Sequence, residues 1–378
     1  MLSPLVLLLA LPAAFGRDDC RACEDTGLVA CKPCARLACL PEGGNEQLLF
    51  CAETIACEDC VGLRVVPCSK CDAFDQAAAA SRAASQAENR AWLEKMRAVD
   101  AFMEKELQHV ETKHFVLTFG IRRIDVKGGS TAHGAMHVYE RRLEELFAFF
   151  VRDLPADAEQ DFFGKTHVFL WDNAADQERA SLKYTLQPSK TQSKLMGANP
   201  VVSIHYDKSH LHEEFELHQA VVHQVTHCLL SNVFDGIWPG NVRGGWIDAG
   251  LAHWYEVALF GGVRHYCYVE GDTMRTFQFG RWEPEVRKAV DADETPGFLG
   301  LASKHTTELT PEEHMFAWSF VDFVLRARPG TFGALARAIK AKRPVKEALS
   351  SALGLSPFEF EAAWREFVRT NYSLKKRR

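Results

Sequence analysis

Two hydrophobic periods alternate along the chain beyond Lys113. "HFVLTF" (114–119), "THVFLW" (166–171) and "VVSIHY" (201–206) are short apolar runs rich in β-branched and aromatic residues, and they predict strands. "HVYERRLEELFAFFVRDL" (137–154) lies between the first two, and its apolar residues return at three and four, which predicts a helix with one buried stripe. "VVHQVTHCLL" (221–230) and "GGWIDAGLAHWYEVALFGG" (244–262) predict two largely buried helices, the second bounded by glycines. The last seventy or so residues are helical in pattern throughout, with Pro344 and Pro357 at opening turns and Ser356 as an N-cap. Upstream, "QAAAASRAASQAENRAWLEKMRAVDAFMEKELQHV" (76–110) has neither Gly nor Pro and predicts a long helix whose second half docks through Trp92, Met96, Val99, Phe102 and Met103.

Composition divides the chain into four parts. Residues 1–16, "MLSPLVLLLALPAAFG", form an apolar run ending in small residues, the pattern of a signal peptide, and predict a secreted or periplasmic protein. A Cys-rich module covers 17–72, the Ala-rich linker helix 73–110, and the strand–helix region 111–378. No later segment approaches eighteen apolar residues, so no membrane span is expected. A net charge of −6 gives no reason to expect a nucleic-acid partner, and the closing "KKRR" reads as a solvated tail.

Ten of the twelve cysteines fall between Cys20 and Cys71. Cys20-x2-Cys23-x7-Cys31-x2-Cys34 recurs with identical spacing as Cys57-x2-Cys60-x7-Cys68-x2-Cys71. Each C-x2-C turn aims two thiolates at one point, and two such turns complete the four-sulfur shell of a structural zinc, so two zinc ions are expected. Which turns share an ion is left open by the spacing, and disulfides are the competing use of these cysteines in an exported protein. Cys39 and Cys51 stand outside the repeat as a candidate bridge, and Cys228 and Cys267 as buried thiols. With Gly27 and Gly62 beside their knuckles, the two sets resemble a degraded C-x-x-C-x-G-x-G repeat of DnaJ-type zinc-binding domains, in which Asp25 and Arg64 replace the remaining glycines. The resemblance implies zinc and partner binding.

His223 and His227 are four apart, hence on one helix face about 40° from each other. "WIDAGLAHWYE" follows nineteen residues after His227. Together with the strand "VVSIHY" and the helical tail, these motifs make residues 111–373 resemble the gluzincin, or peptidase-MA, zinc metallopeptidases. That resemblance implies an α+β zincin-like domain with a small mixed sheet, a substrate-lining edge strand at "VVSIHY", and His223 and His227 as zinc ligands. The general-base position, however, is Gln224, whose neutral amide takes no proton from water, a loss of about 10²–10⁴ in rate. Trp246, Gly250 and Ala252 match the second motif, but the third-ligand position is Ala249. Asp248 or His253 are the neighbours able to complete a weak site. Helical geometry assigns N-capping to Asp248, a half-buried contact to His253, and leaves Glu256 too distant at about 10 Å along the axis. His218 lies about 140° off the ligand face.

The sequence therefore predicts a catalytically degenerate metallopeptidase fold that binds a polypeptide or protein partner, with two structural zinc ions and no third in the zincin domain. A metallohydrolase with a rearranged site and a zinc-dependent chaperone are the alternatives. Chelator-sensitive turnover marks the first, and zinc-dependent suppression of aggregation the second.

Overall fold

The structure, a computed structural model, describes residues 20–36, 48–70, 76–127, 131–209, 211–265 and 282–374. The apolar leader, Cys39, Cys71, Cys267 and the "KKRR" tail lie outside the described residues. The chain is mixed α+β and divides into two compact units, 1–38 with 50–98, and 39–49 with 99–378.

The first unit holds β1 (Leu28–Ala30), α1 (Ala52–Ile55) and β3 (Val65–Pro67), and β2 (Leu48–Cys51) spans the point in the chain where the two units divide. β1 pairs antiparallel with β3, Val29 opposite Val66. The ladder continues into the knuckles, since Cys31 N–H donates to Arg64 O at 2.7 Å and Cys68 N–H to Gly27 O at 2.8 Å. Helix α2 (Gln76–Met103) belongs to this unit up to Ala98. Its Arg82, Gln86 and Asn89, spaced to share a face, donate to the carbonyls of Val65 (2.8 Å), Cys60 (3.3 Å) and Val61 (2.6 Å). The helix is thereby tied to the Cys module through its first half.

Gly27 and Gly62 have φ of 71° and 83°, and the two substituted glycine positions, Asp25 and Arg64, adopt the same left-handed backbone at 62° and 60°. A side chain there costs about 1–2 kcal/mol. Asp25 recovers part of that cost by accepting from Cys20 N–H at 2.9 Å. Arg64→Gly is expected to stabilise the unit by about 1 kcal/mol, read as a raised thermal midpoint of the full chain.

The second unit carries β4 (Gln108–Thr112), β5 (Phe115–Gly120), α3 (Ala132–Asp153), β6 (Thr166–Trp171), α4 (Ala174–Ala180), β7 (Gln192–Leu195) and β8 (Val201–His205). Its helical half follows: α5 (Glu214–Asn232), α6 (Gly245–Phe260), α7 (Glu283–Ala292), α8 (Phe298–Ala302), α9 (Pro311–Ala327), α10 (Phe332–Lys340), α11 (Val345–Leu353) and α12 (Pro357–Asn371). From Gln108 onward the strands lie in the order β4-β5-β6-β8-β7. β5, β6 and β8 are parallel, and β4 and β7 run antiparallel to their neighbours. Val168 sits between Leu117 and Val202, all three buried, so the sheet's centre is hydrophobic as the runs predicted.

One expectation is corrected. "VVSIHY" is not an edge strand, because β8 is flanked by β6 and β7, and the edge is "QSKL". That stretch has no apolar alternation to reveal it. The half-buried flank strand needs only the backbone partners β8 provides.

Helix α5, almost wholly buried, starts in a capping box between Glu213 and Glu216. Its last carbonyls are held by the buried Lys340 ammonium, which donates to Leu230 O at 3.1 Å, Ser231 O at 2.6 Å and Val233 O at 2.5 Å. α6 packs between α5 and α9, and Trp246 at its start meets Phe298 and Phe320 edge-on. Ser356 caps α12 as the sequence indicated, accepting from Glu359 N–H.

Candidate metal centres

The first unit brings the cysteines together in a nested arrangement. Cys31, Cys34, Cys57 and Cys60 form one group, and Cys20, Cys23 and Cys68 another. Inner turns thus pair with each other and outer with outer, a choice the spacing left open. Sulfur separations are 3.4 Å for Cys34–Cys60, 3.7 Å for Cys31–Cys57 and 3.9 Å for Cys20–Cys68. Zinc–sulfur bonds of about 2.3 Å give a tetrahedral edge of about 3.8 Å, so both groups have the donors and the spacing to hold a metal ion. Burial raises the Cys57 thiol, but the backbone amides of Cys60 and Asp59 outweigh it and hold it below its ordinary value. The Cys34 thiol is raised, by burial first and then by the crowding of Cys60 and Cys57.

In the second unit, antiparallel contact of α5 and α6 assembles a buried polar core. His227, late on α5, meets Asp248, early on α6, with Nδ1 and Oδ2 2.9 Å apart. One turn back, His223 Nδ1 lies 3.1 Å from Glu256 Oε2, and His253 Nδ1 is also 3.1 Å from that oxygen. The other Glu256 oxygen accepts from His265 Nδ1 at 2.7 Å and from Arg264 N–H at 3.3 Å. His253 Nε2 lies 2.8 Å from His314 Nδ1 of α9, and the Nε2 atoms of His223 and His227 face each other at 3.2 Å. His223, His227, Asp248, His253, Glu256 and His314 are all fully buried.

Three readings of the sequence change here. Glu256 is a central member of the cluster, because axial distance measured from Ala249 ignores that α5 runs antiparallel to α6 and presents His223 to its far turns. Asp248 does not cap its helix. Its carboxylate accepts from Trp238 Nε1 and Thr306 Oγ1, both at 2.7 Å, and faces His227. His253 is fully buried rather than half-buried. His314 and His265 join the cluster without a sequence signal, since a lone histidine in an apolar helix or after a glycine turn does not reveal its partners. His218 stays apart, edge-on to Tyr139 and Phe260, and burial drops its imidazole to about 3. Cys228 is a buried thiol, pushed up to about 12 by that burial.

Burial also holds the imidazoles of His223, His253 and His314 below their ordinary range, so they are neutral, the form that ligates metals. Burial alone would raise the carboxyls of Glu256 and Asp248. Hydrogen bonds donated by the side chains beside them outweigh it and hold both carboxyls below their ordinary range.

Gln224 sits at the rim of this core. Its Oε1 accepts from Lys194 Nζ at 2.7 Å and its Nε2 donates to Gln192 Oε1 at 3.0 Å, both partners coming from edge strand β7. Ala249 is fully buried and supplies no donor atom. Comparison with protein-family models and with curated proteins finds no match to the chain.

Proposed function

We propose that this chain is an exported, non-hydrolytic polypeptide-binding protein: a gluzincin-like frame without general base or third ligand, joined to a module that holds two zinc ions. The observation that carries this reading is the state of Gln224. A general base must accept a proton from water, whereas this amide is engaged at both ends by Lys194 and Gln192. The anchors come from β7, whose outer edge offers backbone groups to an extended peptide, a binding mode that needs no chemistry. The apolar leader supports export.

The test is to incubate the immobilised full chain with a random decapeptide library and analyse bound and unbound fractions by mass spectrometry. Peptides are expected to be retained intact, and Lys194→Glu to alter which are retained. Chelator-sensitive cleavage would instead establish a metallohydrolase with a rearranged site. Aggregation suppression that disappears when zinc is stripped from the cysteines, without peptide retention, would transfer the role to the Cys module.

A further inference from the structure

We infer that His223, His253 and Glu256 form a buried site for a divalent transition-metal ion, zinc foremost, that fastens α5 to α6. This goes beyond the peptide-binding reading and uses a different ligand set from the one the sequence resemblance implies. Ligand-capable atoms of the three residues all lie within 4.8 Å of one another. Two imidazole nitrogens approach the same carboxylate oxygen, each at 3.1 Å. Charge-assisted N–H···O⁻ bonds run about 2.7–2.9 Å. Ligands around a tetrahedral zinc stand about 3.3 Å apart, given bonds near 2.0–2.2 Å. The neighbouring contact of His265 with the other Glu256 oxygen, at 2.7 Å, has ordinary hydrogen-bond length.

Proton accounting points the same way. Asp248 beside His227 Nδ1 places that ring's proton on Nδ1 and makes its Nε2 an acceptor. Were His223 to donate from Nδ1 to Glu256, its own Nε2 would also be an acceptor, and two lone pairs would face each other at 3.2 Å. A metal on Nδ1 of His223 and His253 moves both ring protons to Nε2. His223 then donates to His227, and His253 donates to His314 Nδ1 at 2.8 Å. Glu256 meanwhile offers Oε2 to the ion while Oε1 is steadied by His265 and Arg264 N–H. Imidazole and carboxylate donors suit zinc and its first-row neighbours. All three ligands are at 0% exposure, so the ion would be structural, sealed from the water a hydrolytic metal must activate.

The experiment counts metal per full chain by elemental mass spectrometry, with folding checked by circular dichroism. One equivalent beyond those held by the cysteines is expected, lost in Glu256→Gln and in His253→Ala and kept in His227→Ala. Cobalt(II) taken up by metal-stripped wild type should add visible bands of a nitrogen- and oxygen-ligated ion beside the thiolate charge-transfer bands, a readout that needs no variant. Absence of both the extra equivalent and those bands would overturn the inference. So would an equivalent lost in His227→Ala and kept in His253→Ala, which would put the ion on the two Nε2 atoms.

Discussion

Replacing Cys34 and Cys60 together with serine is expected to remove one zinc per full chain and to unfold the first unit around it. Together the two substitutions take one sulfur from each inner knuckle, leaving two thiolates where four converge. Structural zinc contributes about 10–16 kcal/mol to the folding of small modules. That equals or exceeds the net stability of a typical domain, about 5–15 kcal/mol. Among the described residues the unit's sheet is a two-stranded ladder of three residues a side, and Cys31, Cys34 and Cys60 pack as a buried cluster with Cys57 and Val66 against them. Limited proteolysis read by mass spectrometry, beside a zinc count, checks the outcome. Cleavage should appear within residues 20–70 while fragments of the second unit persist. Unchanged zinc and unchanged protection would show that sulfur packing alone holds the knuckles.

How much of this was legible in the sequence follows from the range of each interaction. The repeated C-x2-C spacing encodes local turns, so both sulfur groups could be anticipated, but their pairing depends on β1 meeting β3 and appears only in three dimensions. Helix positions were readable because period and caps are local, as at Ser356 and Pro357. The edge strand was not, since "QSKL" has no alternation and owes its conformation to β8. The histidine core was half legible. His223 and His227 announce themselves by spacing on one helix, whereas Glu256 and His314 join them through the crossing of α5, α6 and α9. A helical wheel for one element at a time cannot place a residue against another element, and for that reason it assigned Asp248 to a cap and Glu256 to the distance.

Gly250→Ala is expected to destabilise the second unit by about 3 kcal/mol, at the upper end of overpacking costs. A Cβ at Gly250 would stand 2.4 Å from Ala317 O, 2.8 Å from Ala317 C and 2.7 Å from Val321 Cγ2. Two of those atoms are α9 backbone, which cannot rotate aside as a side chain would, so α6 and α9 must separate. In a unit this size the thermal midpoint should fall by roughly 9 °C. Gly300→Ala is the control, since nothing lies within 4 Å of a Cβ there, and it should be neutral or gain about 0.5 kcal/mol. The substitution also reads the buried core. His253 and His314 touch across this same α6–α9 contact at 2.8 Å, and Glu256 follows one turn after Gly250's own. Pushing the helices apart should therefore loosen the His253 ring, seen as altered imidazole ¹⁵N shifts for His253 and His314 with little change at His227, whose partner Asp248 is held from the other side by Trp238 and Thr306. A Gly250→Ala protein as stable as the Gly300→Ala control would mean that α6 and α9 are not pressed backbone to backbone, and the close approach that positions the histidine core would have to come from elsewhere.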